Sequence, residues 1–444
     1  MATSTIPFKK IALYLFSLLL VFALFIVVIN SSIFDEELHP EVKLAMQVPP
    51  EINPQKNAYL ALFGMQAAAG KDMQQVGIQL TTRYLQNRDQ HQRDELTQEE
   101  IQEIAGGKNL DEAWSKQYKS CNSRQENGCL AKMVAQINST PMTDTRFNVM
   151  LKRYQQLLEM QDYQELQNAS AATPLPQFGL ALDVAKIYLA QASTEKNPMT
   201  FLTALQKDMR FWRRVLSQGN AIISKMIAIA ALRNDLQYLS EFMQSKTLTE
   251  EQKTLIQQLL VTLDSEELNI AEAISGEGRW LATEFNYVEK NWLSRMAFQY
   301  NATLNANYFY AIKHDVELAK LSSIQLAKAL AQVRINEDSP LTWSPSSLYN
   351  FIGKALVATA HPYMQDYIAR VHDLNGMILL VQLQLSLKGT PNDAIESSVQ
   401  NSPIKNPYTN QAMQWNQAEA ALQFNCLASK SICRINIENM PLLN

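Results

Sequence analysis

Glycine and proline are scarce, at 13 and 16 of 444 residues. That argues against collagen-like or low-complexity sequence, and with 47% hydrophobic and 18% charged side chains it leaves ample material for a folded core. Histidine is scarcer still, with five residues. The signatures of ready-made chemistry are missing: no G-x-x-x-x-G-K-[ST], no G-x-G-x-x-G, no G-x-S-x-G and no H-E-x-x-H occurs. A basic excess is missing too. Setting aside Lys9 and Lys10, 37 basic residues face 43 acidic ones, a net charge of 37 − 43 = −6. Such a surface argues against nucleic acid as a partner and against broad adhesion to anionic lipid.

Long hydrophobic runs are lacking, with one exception. Ile11 to Ile29, IALYLFSLLLVFALFIVVI, is apolar apart from Ser17. At 1.5 Å per residue such a helix reaches roughly 28 Å, close to the roughly 30 Å hydrocarbon core of a bilayer. Lys9 and Lys10 precede it, and Asp35, Glu36 and Glu37 follow it, so the positive-inside rule predicts a cytoplasmic N-terminus. A cleaved secretory signal is the competing reading. The apolar part of a signal usually runs about 7 to 15 residues and ends in a small-x-small site, whereas this run is longer and exits through Val28-Ile29-Asn30-Ser31-Ser32. No cysteine stands near the exit, which excludes a lipoprotein anchor. The expectation is a single-pass protein of a bacterial inner membrane. Residues 1–10 are then cytoplasmic, 11–30 cross the lipid bilayer, 31–400 form a periplasmic α-helical domain and 401–444 a C-terminal β element.

Cysteine is limited to four residues in two local pairs, Cys121 with Cys129 and Cys426 with Cys433. Leu422, Phe424, Cys426 and Cys433, Ile435, Ile437 alternate with period 2, which places all six on one face of a hairpin. Pairing Cys426 with Cys433 registers Phe424 with Ile435 and Leu422 with Ile437. Directly opposed strand positions lie about 4.5 to 5.5 Å apart at Cβ, near disulfide reach. In CNSRQENGC, a Cys121–Cys129 bond closes a small loop through Asn127-Gly128 and staples a turn to a helix start. A loop this short contributes roughly 2 to 3 kcal/mol. Zinc is the rival reading, but neither pair has the close C-x₂-C spacing with His or Cys partners, so no metal and no cofactor is expected. Disulfides persist in oxidising compartments, in agreement with the orientation taken from the flanking charges.

Elsewhere the dominant period is helical. Phe147, Met150, Leu151, Tyr154, Leu157 and Leu158 define one apolar face. Thr97 with Glu100 and Thr249 with Gln252 fit the capping-box pattern. Breaks fall at Pro49-Pro50, Thr173-Pro174, Asn197-Pro198, Ser339-Pro340, Ser344-Pro345 and Gly389-Thr390-Pro391. The longest segments run over 198–246, 249–289 and 291–334, each expected to be bent or divided, at Gly219, at Ser275-Gly276-Glu277-Gly278 and near Asn301 to Asn307 respectively. No strict repeat is visible. The fold class is therefore all-α: a transmembrane helix, a large helical array or irregular bundle, and a small C-terminal β-hairpin or meander from Met413–Trp415, Ala420–Cys426 and Cys433–Ile437.

Asn406-Pro407-Tyr408-Thr409-Asn410-Gln411-Ala412-Met413-Gln414-Trp415 resembles the Asp-Pro-aromatic-Ser/Thr-Gly-x-Pro-apolar-x-aromatic turn that closes some uncharacterised, single-pass, membrane-anchored helical periplasmic proteins of Gram-negative bacteria. Asn410 and Ala412 stand where that turn has Gly and Pro. The resemblance spans about ten residues and implies location and topology; it carries no catalytic residue.

Two places invite a test for catalysis. In HPYMQDYIARVHD, which holds His361, Asp366, Arg370 and His372, eleven residues bring His372 back to nearly the helix face of His361, a setting in which a base and an orienting carboxylate are able to meet. The structural alternative puts His361 at a helix start before Pro362 and makes Asp366–Arg370 an ordinary i,i+4 pair. Glu396-Ser397 matches the Glu-Ser that opens the catalytic segment of helical lytic transglycosylases, whose Glu is a general acid, but Gln400-Asn401-Ser402-Pro403 follows in place of a glycine-rich motif. Two places invite a test for binding. Lys207, Arg210, Arg213 and Arg214 surround Phe211-Trp212 and suit an acidic partner or a lipid phosphate, unless they are the solvated side of a helix whose aromatics face the core. Phe298, Tyr300, Tyr308, Phe309 and Tyr310 line a groove or fill a core. The expected function is non-catalytic binding of an envelope protein partner, as a scaffold or in neutralising a toxin; the alternative is a cell-envelope hydrolase built on His361, Asp366, His372 or Glu396.

Overall fold

The computed structural model describes residues 8–91, 96–106, 121, 126–139, 145–166, 173–290, 298–333, 348–360 and 364–437. Helix α1 (Phe8–Ile29) contains the apolar run. Over Lys10–Ile29 mean hydropathy reaches 3.0 and nothing in that window is buried, so this helix is long and apolar enough to cross a membrane. Beyond it a strap over 30–48 carries α2 (Pro40–Ala45), which starts on a proline whose missing N–H costs nothing at that position.

The body is helical, as expected. First come α3 (Ala58–Phe63), α4 (Met73–His91) and α5 (Gln98–Ala105). Both halves of the α5 capping box are made: Glu100 N–H donates to Thr97 Oγ1 at 3.2 Å and Thr97 N–H to Glu100 Oε2 at 2.9 Å. Cys129 opens α6 (Cys129–Ser139), bonded to Cys121 with the Cα atoms 5.5 Å apart. In α7 (Thr145–Leu158) all six residues of the apolar face are buried. The centre is α8 (Phe178–Ser193), α9 (Pro198–Gln218) and α10 (Ile222–Ser245), where Trp212, Phe201 and Tyr238 are wholly enclosed and Phe201 stacks on Phe242 at 4.5 Å. Then follow α11 (Glu250–Leu259), opened by the Thr249–Gln252 box, α12 (Ser265–Leu268) and α13 (Ala271–Lys290). Next are α14 (Tyr300–Asn307), a π-helical turn at Tyr308–Ile312, α15 (Lys313–Leu318), α16 (Ser323–Val333), α17 (Phe351–Ala360), α18 (Met364–Ser386), packed along α10, and α19 (Ile395–Asn401).

The chain divides at Gly219, between α9 and α10, as expected, but the pair Gly276 and Gly278 divides nothing: α13 runs through both. A Cβ on Gly276 would stand 2.1 Å from the Asn220 carbonyl oxygen and one on Gly278 2.4 Å from Ile312 Cδ1, so these glycines admit neighbours. The chain breaks instead over Leu260–Asp264 and at Asn269. Asn301 to Asn307 is helical as well, and the irregularity falls just after it, in the π turn. Ser339-Pro340, Ser344-Pro345 and residues 291–297 lie outside the described residues.

At the C-terminus β1 (Gln414–Asn416), β2 (Ala421–Gln423) and β3 (Arg434–Asn436) form an antiparallel meander in that order. Its register differs from the expected one by two residues. Leu422 pairs with Ile435 rather than Ile437, and the Phe424 N–H donates to the Cys433 carbonyl at 3.0 Å. Because the side-chain period of a strand is two, this slip keeps the expected faces. It lets the Phe424 ring sit over Gly376 of α18, where a Cβ would come within 2.3 Å of it, and against Tyr408 at 5.8 Å. Cys426 thereby lies past the ladder and reaches Cys433 diagonally, with Cα atoms 5.6 Å apart. The turn that opens at Asn406 is held by its own asparagines. Tyr408 N–H donates to Asn406 Oδ1 at 2.8 Å, and Asn410 takes the left-handed conformation (φ 56°) in place of a glycine.

Candidate functional site

Helices α7, α8 and α9 enclose an open cleft of about 500 Å³, lined by Lys152, Gln155, Gln156, Glu159, Tyr188 and Lys207. Lys207 Nζ lies 2.6 Å from Glu159 Oε1 across it. Two ammonium groups, one carboxylate and two amides suit an anionic side chain on a partner, and none of these groups forms a nucleophile–base pair.

The basic run on α9 is split by the helix itself. Lys207 lines the cleft and Arg210 is exposed one turn on. Arg213 grips Glu267 with two bonds of 2.5 Å and also donates to the Val261 carbonyl at 2.7 Å, which holds the loop before α12. Arg214 holds the end of α7 through the Met160 carbonyl and Gln161 Oε1. Trp212 points the other way: it is wholly buried and its Nε1–H donates to Tyr154 Oη at 3.1 Å. Trp212 is therefore not part of the basic surface, whereas Lys207, Arg210 and Arg214, at i, i+3 and i+7, share one helix face.

Behind the cleft sits a buried acidic group that no sequence motif marks. Tyr188 edges Tyr154 at 5.8 Å, Tyr154 donates to Asp208, and Asp208 faces Asp235 of α10. Both aspartates are almost wholly buried, and Oδ2 of each has no other donor, so one proton shared between them satisfies both. Burial drives both carboxyls upward, Asp235 further because the Asp208 charge lies beside it. A second buried pair brackets the α9–α10 break. Glu165 accepts from Asn220 N–H at 2.9 Å and Ala221 N–H at 3.3 Å, while Lys225 donates to the Leu216 and Ser217 carbonyls at the end of α9. Burial lowers the Lys225 ammonium to about 8 and raises Glu165. A signal existed: Asp208 falls between Leu205 and Trp212 on the apolar face of α9, and Asp235 between Leu232 and Leu239 on that of α10.

Two of the residues considered for catalysis are engaged by other side chains. His361 lies outside the described residues. Asp366 pairs with Arg370 at 2.8 Å and accepts from Ser429 N–H and Oγ–H at 2.6 and 2.8 Å, so it anchors the C-terminal loop. His372 is 1% exposed, its Nδ1 meets Ser323 Oγ at 2.8 Å and its Nε2 has no partner; burial brings the imidazole down to about 4. Glu396 is exposed on α19. Asp373, Cys426 and Cys433 converge within 4.8 Å, a spacing that suits a metal. Both sulfurs are spent in the disulfide, and the carboxylate already takes Tyr408 Oη–H at 2.6 Å, Leu427 N–H at 2.9 Å and Ala428 N–H at 3.1 Å. The aromatic stretch divides likewise: Phe298 is core, Phe309 edges His39 at 4.9 Å, and Tyr310 is 78% exposed.

One further polar assembly joins α1 to the body. Asn30, the first residue past α1, is wholly buried; its Nδ2 donates to the carbonyls of Ile26 at 2.9 Å and Leu348 at 3.0 Å, and its Oδ1 accepts the Asn350 N–H at 2.7 Å. Gln299 Nε2 donates to the Ser31 carbonyl at 2.7 Å, and Asp35 accepts the Asn301 and Ala302 N–H groups at the start of α14, both at 3.0 Å. Asn305 Nδ2 donates to Glu36 Oε2 and to the Glu37 carbonyl, both at 3.0 Å. No protein-family model, curated protein or solved structure matches the chain.

Proposed function

We propose that this chain is a membrane-tethered, non-catalytic binding protein of the bacterial envelope. In this reading α1 crosses the inner membrane with the N-terminus in the cytoplasm, and the helical body stands in the periplasm. Its cleft between α7 and α9 receives an acidic face of another envelope protein or of a toxin. The observation that carries the reading is the apolar surface of Lys10–Ile29, exposed along its length and joined to a body with two disulfides. The engagement of Asp366 by Arg370 and Ser429 and the exposure of Glu396 on α19 support binding over hydrolysis. Tethering raises the effective concentration of the cleft for any partner confined to the same envelope.

The test is crosslinking and purification of the full chain from its own membranes. A stoichiometric partner is expected, lost when Lys207→Glu and Arg210→Glu are combined. A purified chain that instead digests cell wall or lipid, with activity lost in Glu396→Gln or His372→Ala, contradicts the proposal.

A further inference from the structure

The assembly around Asn30 has an outer side as well as an inner one. Ile33 is 86% exposed, Phe34 56% and Phe351 49%, three large apolar side chains at the mouth of an apolar helix. The bonds of the junction bring them together. Tyr349 Oη–H donates to the Phe34 carbonyl at 2.9 Å, and Asn350, the neighbour of Phe351, is bonded to Asn30. With consecutive Cα atoms about 3.8 Å apart and one hydrogen bond between the chains, Phe351 stands within roughly 10 Å of Asn30. The interfacial layer of a bilayer is roughly 5 to 8 Å deep on each side.

We infer that Ile33, Phe34 and Phe351 form an apolar collar that seats the body on the lipid surface around the exit of α1, in its headgroup and upper acyl layer. The inference rests on α1 being a membrane span, and its occupant is the bilayer because the collar is continuous with that helix. Charge agrees. Of the three acidic residues that follow the span, Asp35 is half-buried against Asn301 and Ala302, and Glu36, though exposed, bonds Asn305. Lys354, one turn along α17 from the collar, stands 5.9 Å from the Tyr349 ring. Tyr349, apolar in its ring and polar at its tip, is the side-chain type that collects at membrane interfaces. The collar and the bonds behind it give the cleft a fixed bearing relative to the membrane, where a flexible tether would give none.

The test uses the full chain in nanodiscs of phosphatidylethanolamine and phosphatidylglycerol, with a photo-activatable benzophenone side chain introduced in turn at Leu18, Phe34, Phe351 and Ile432. Ile432 is as exposed as Phe351, at 45%, but sits on the C-terminal cap. Lipid adducts are expected from Leu18, Phe34 and Phe351, with none from Ile432. Combining Asn30→Ala with Asn350→Ala is expected to abolish the Phe351 adduct and leave that of Leu18. Adducts from Leu18 without any from Phe34 and Phe351 overturn the collar while the span stands, and equal labelling at Ile432 overturns it too. No adduct from Leu18 overturns the span and the collar with it.

Discussion

The helix pair α9–α10 and the junction around Asn30 both enclose polar groups, but with different chemistry. Inside the pair they are ionisable: Asp208 with Asp235, and Glu165 with Lys225 at the break between the helices. At the junction most are amides, those of Asn30, Gln299, Asn305 and Asn350, with the Asp35 carboxylate half-buried among them. Buried amides cost less to desolvate than buried charges and do not change state with pH. Each region is therefore vulnerable in its own way. The helix pair responds to pH and to loss of packing, whereas the junction responds to loss of a single hydrogen-bonding side chain.

The largest contrast is in packing. Trp212→Ala is expected to cost about 3–5 kcal/mol of global stability, from the cavity and from the Tyr154 bond it strands. Phe351→Ala at the collar is expected to stay within about 0.5 kcal/mol in detergent, where no bilayer covers it. Denaturant midpoints compare the two, and similar losses would erase the contrast.

The pH response is the next largest. Burial holds the folded-state imidazole of His372 near 4 against an unfolded value of 6.5. The unfolded chain therefore binds the proton first, and stability falls as pH drops from 6.5 to 4, by about 3 kcal/mol at most. The acid pair acts in the opposite sense. Its folded-state values are raised, so its contribution is complete below 3.8 and is lost as pH rises through about 6 and beyond. Asp235→Asn removes the shared proton and is expected to flatten that decline on the alkaline side. Unfolding measured across this range separates the two slopes, and an unchanged alkaline decline in Asp235→Asn would remove the acid pair as its source.

Smaller in free energy, and local, is the effect of Asn350→Ala. It removes the side-chain acceptor of Gln299 N–H and the partner of Thr303 Oγ1, at a cost of about 1–3 kcal/mol. Exchange should accelerate over 298–305 with little change in α9 and α10. The smallest effect belongs to the cleft: Lys207→Ala breaks an exposed ion pair with Glu159 and is expected to change stability by less than about 0.5 kcal/mol while weakening partner binding.

Periodicity made much of this molecule legible. The buried face of α7, both capping boxes, the apolar α1 and the disulfide partners follow from residue spacing, because each is decided within a turn or a hairpin. The β2–β3 register was not legible, since it depends on Phe424 finding Gly376 on a helix some fifty residues earlier. Gly276 and Gly278 misled for the same reason: their neighbours, Asn220 and Ile312, are remote in sequence. The basic run on α9 was visible, but its division among the cleft, Glu267 and the Met160 carbonyl was not. The junction escaped notice because Asn30 and Asn350 are unremarkable in sequence and become a pair only in three dimensions.

In the proposed arrangement the body is held to α1 in one bearing. Hydrogen exchange of the full chain in nanodiscs tests it most directly at Asn301 and Ala302, whose N–H groups are bonded to Asp35. Slow exchange is expected at both, becoming fast in Asp35→Ala while the amides of α9 and α10 stay protected. Fast exchange at both in the unaltered chain would mean that the strap is a loose tether, and would contradict the account.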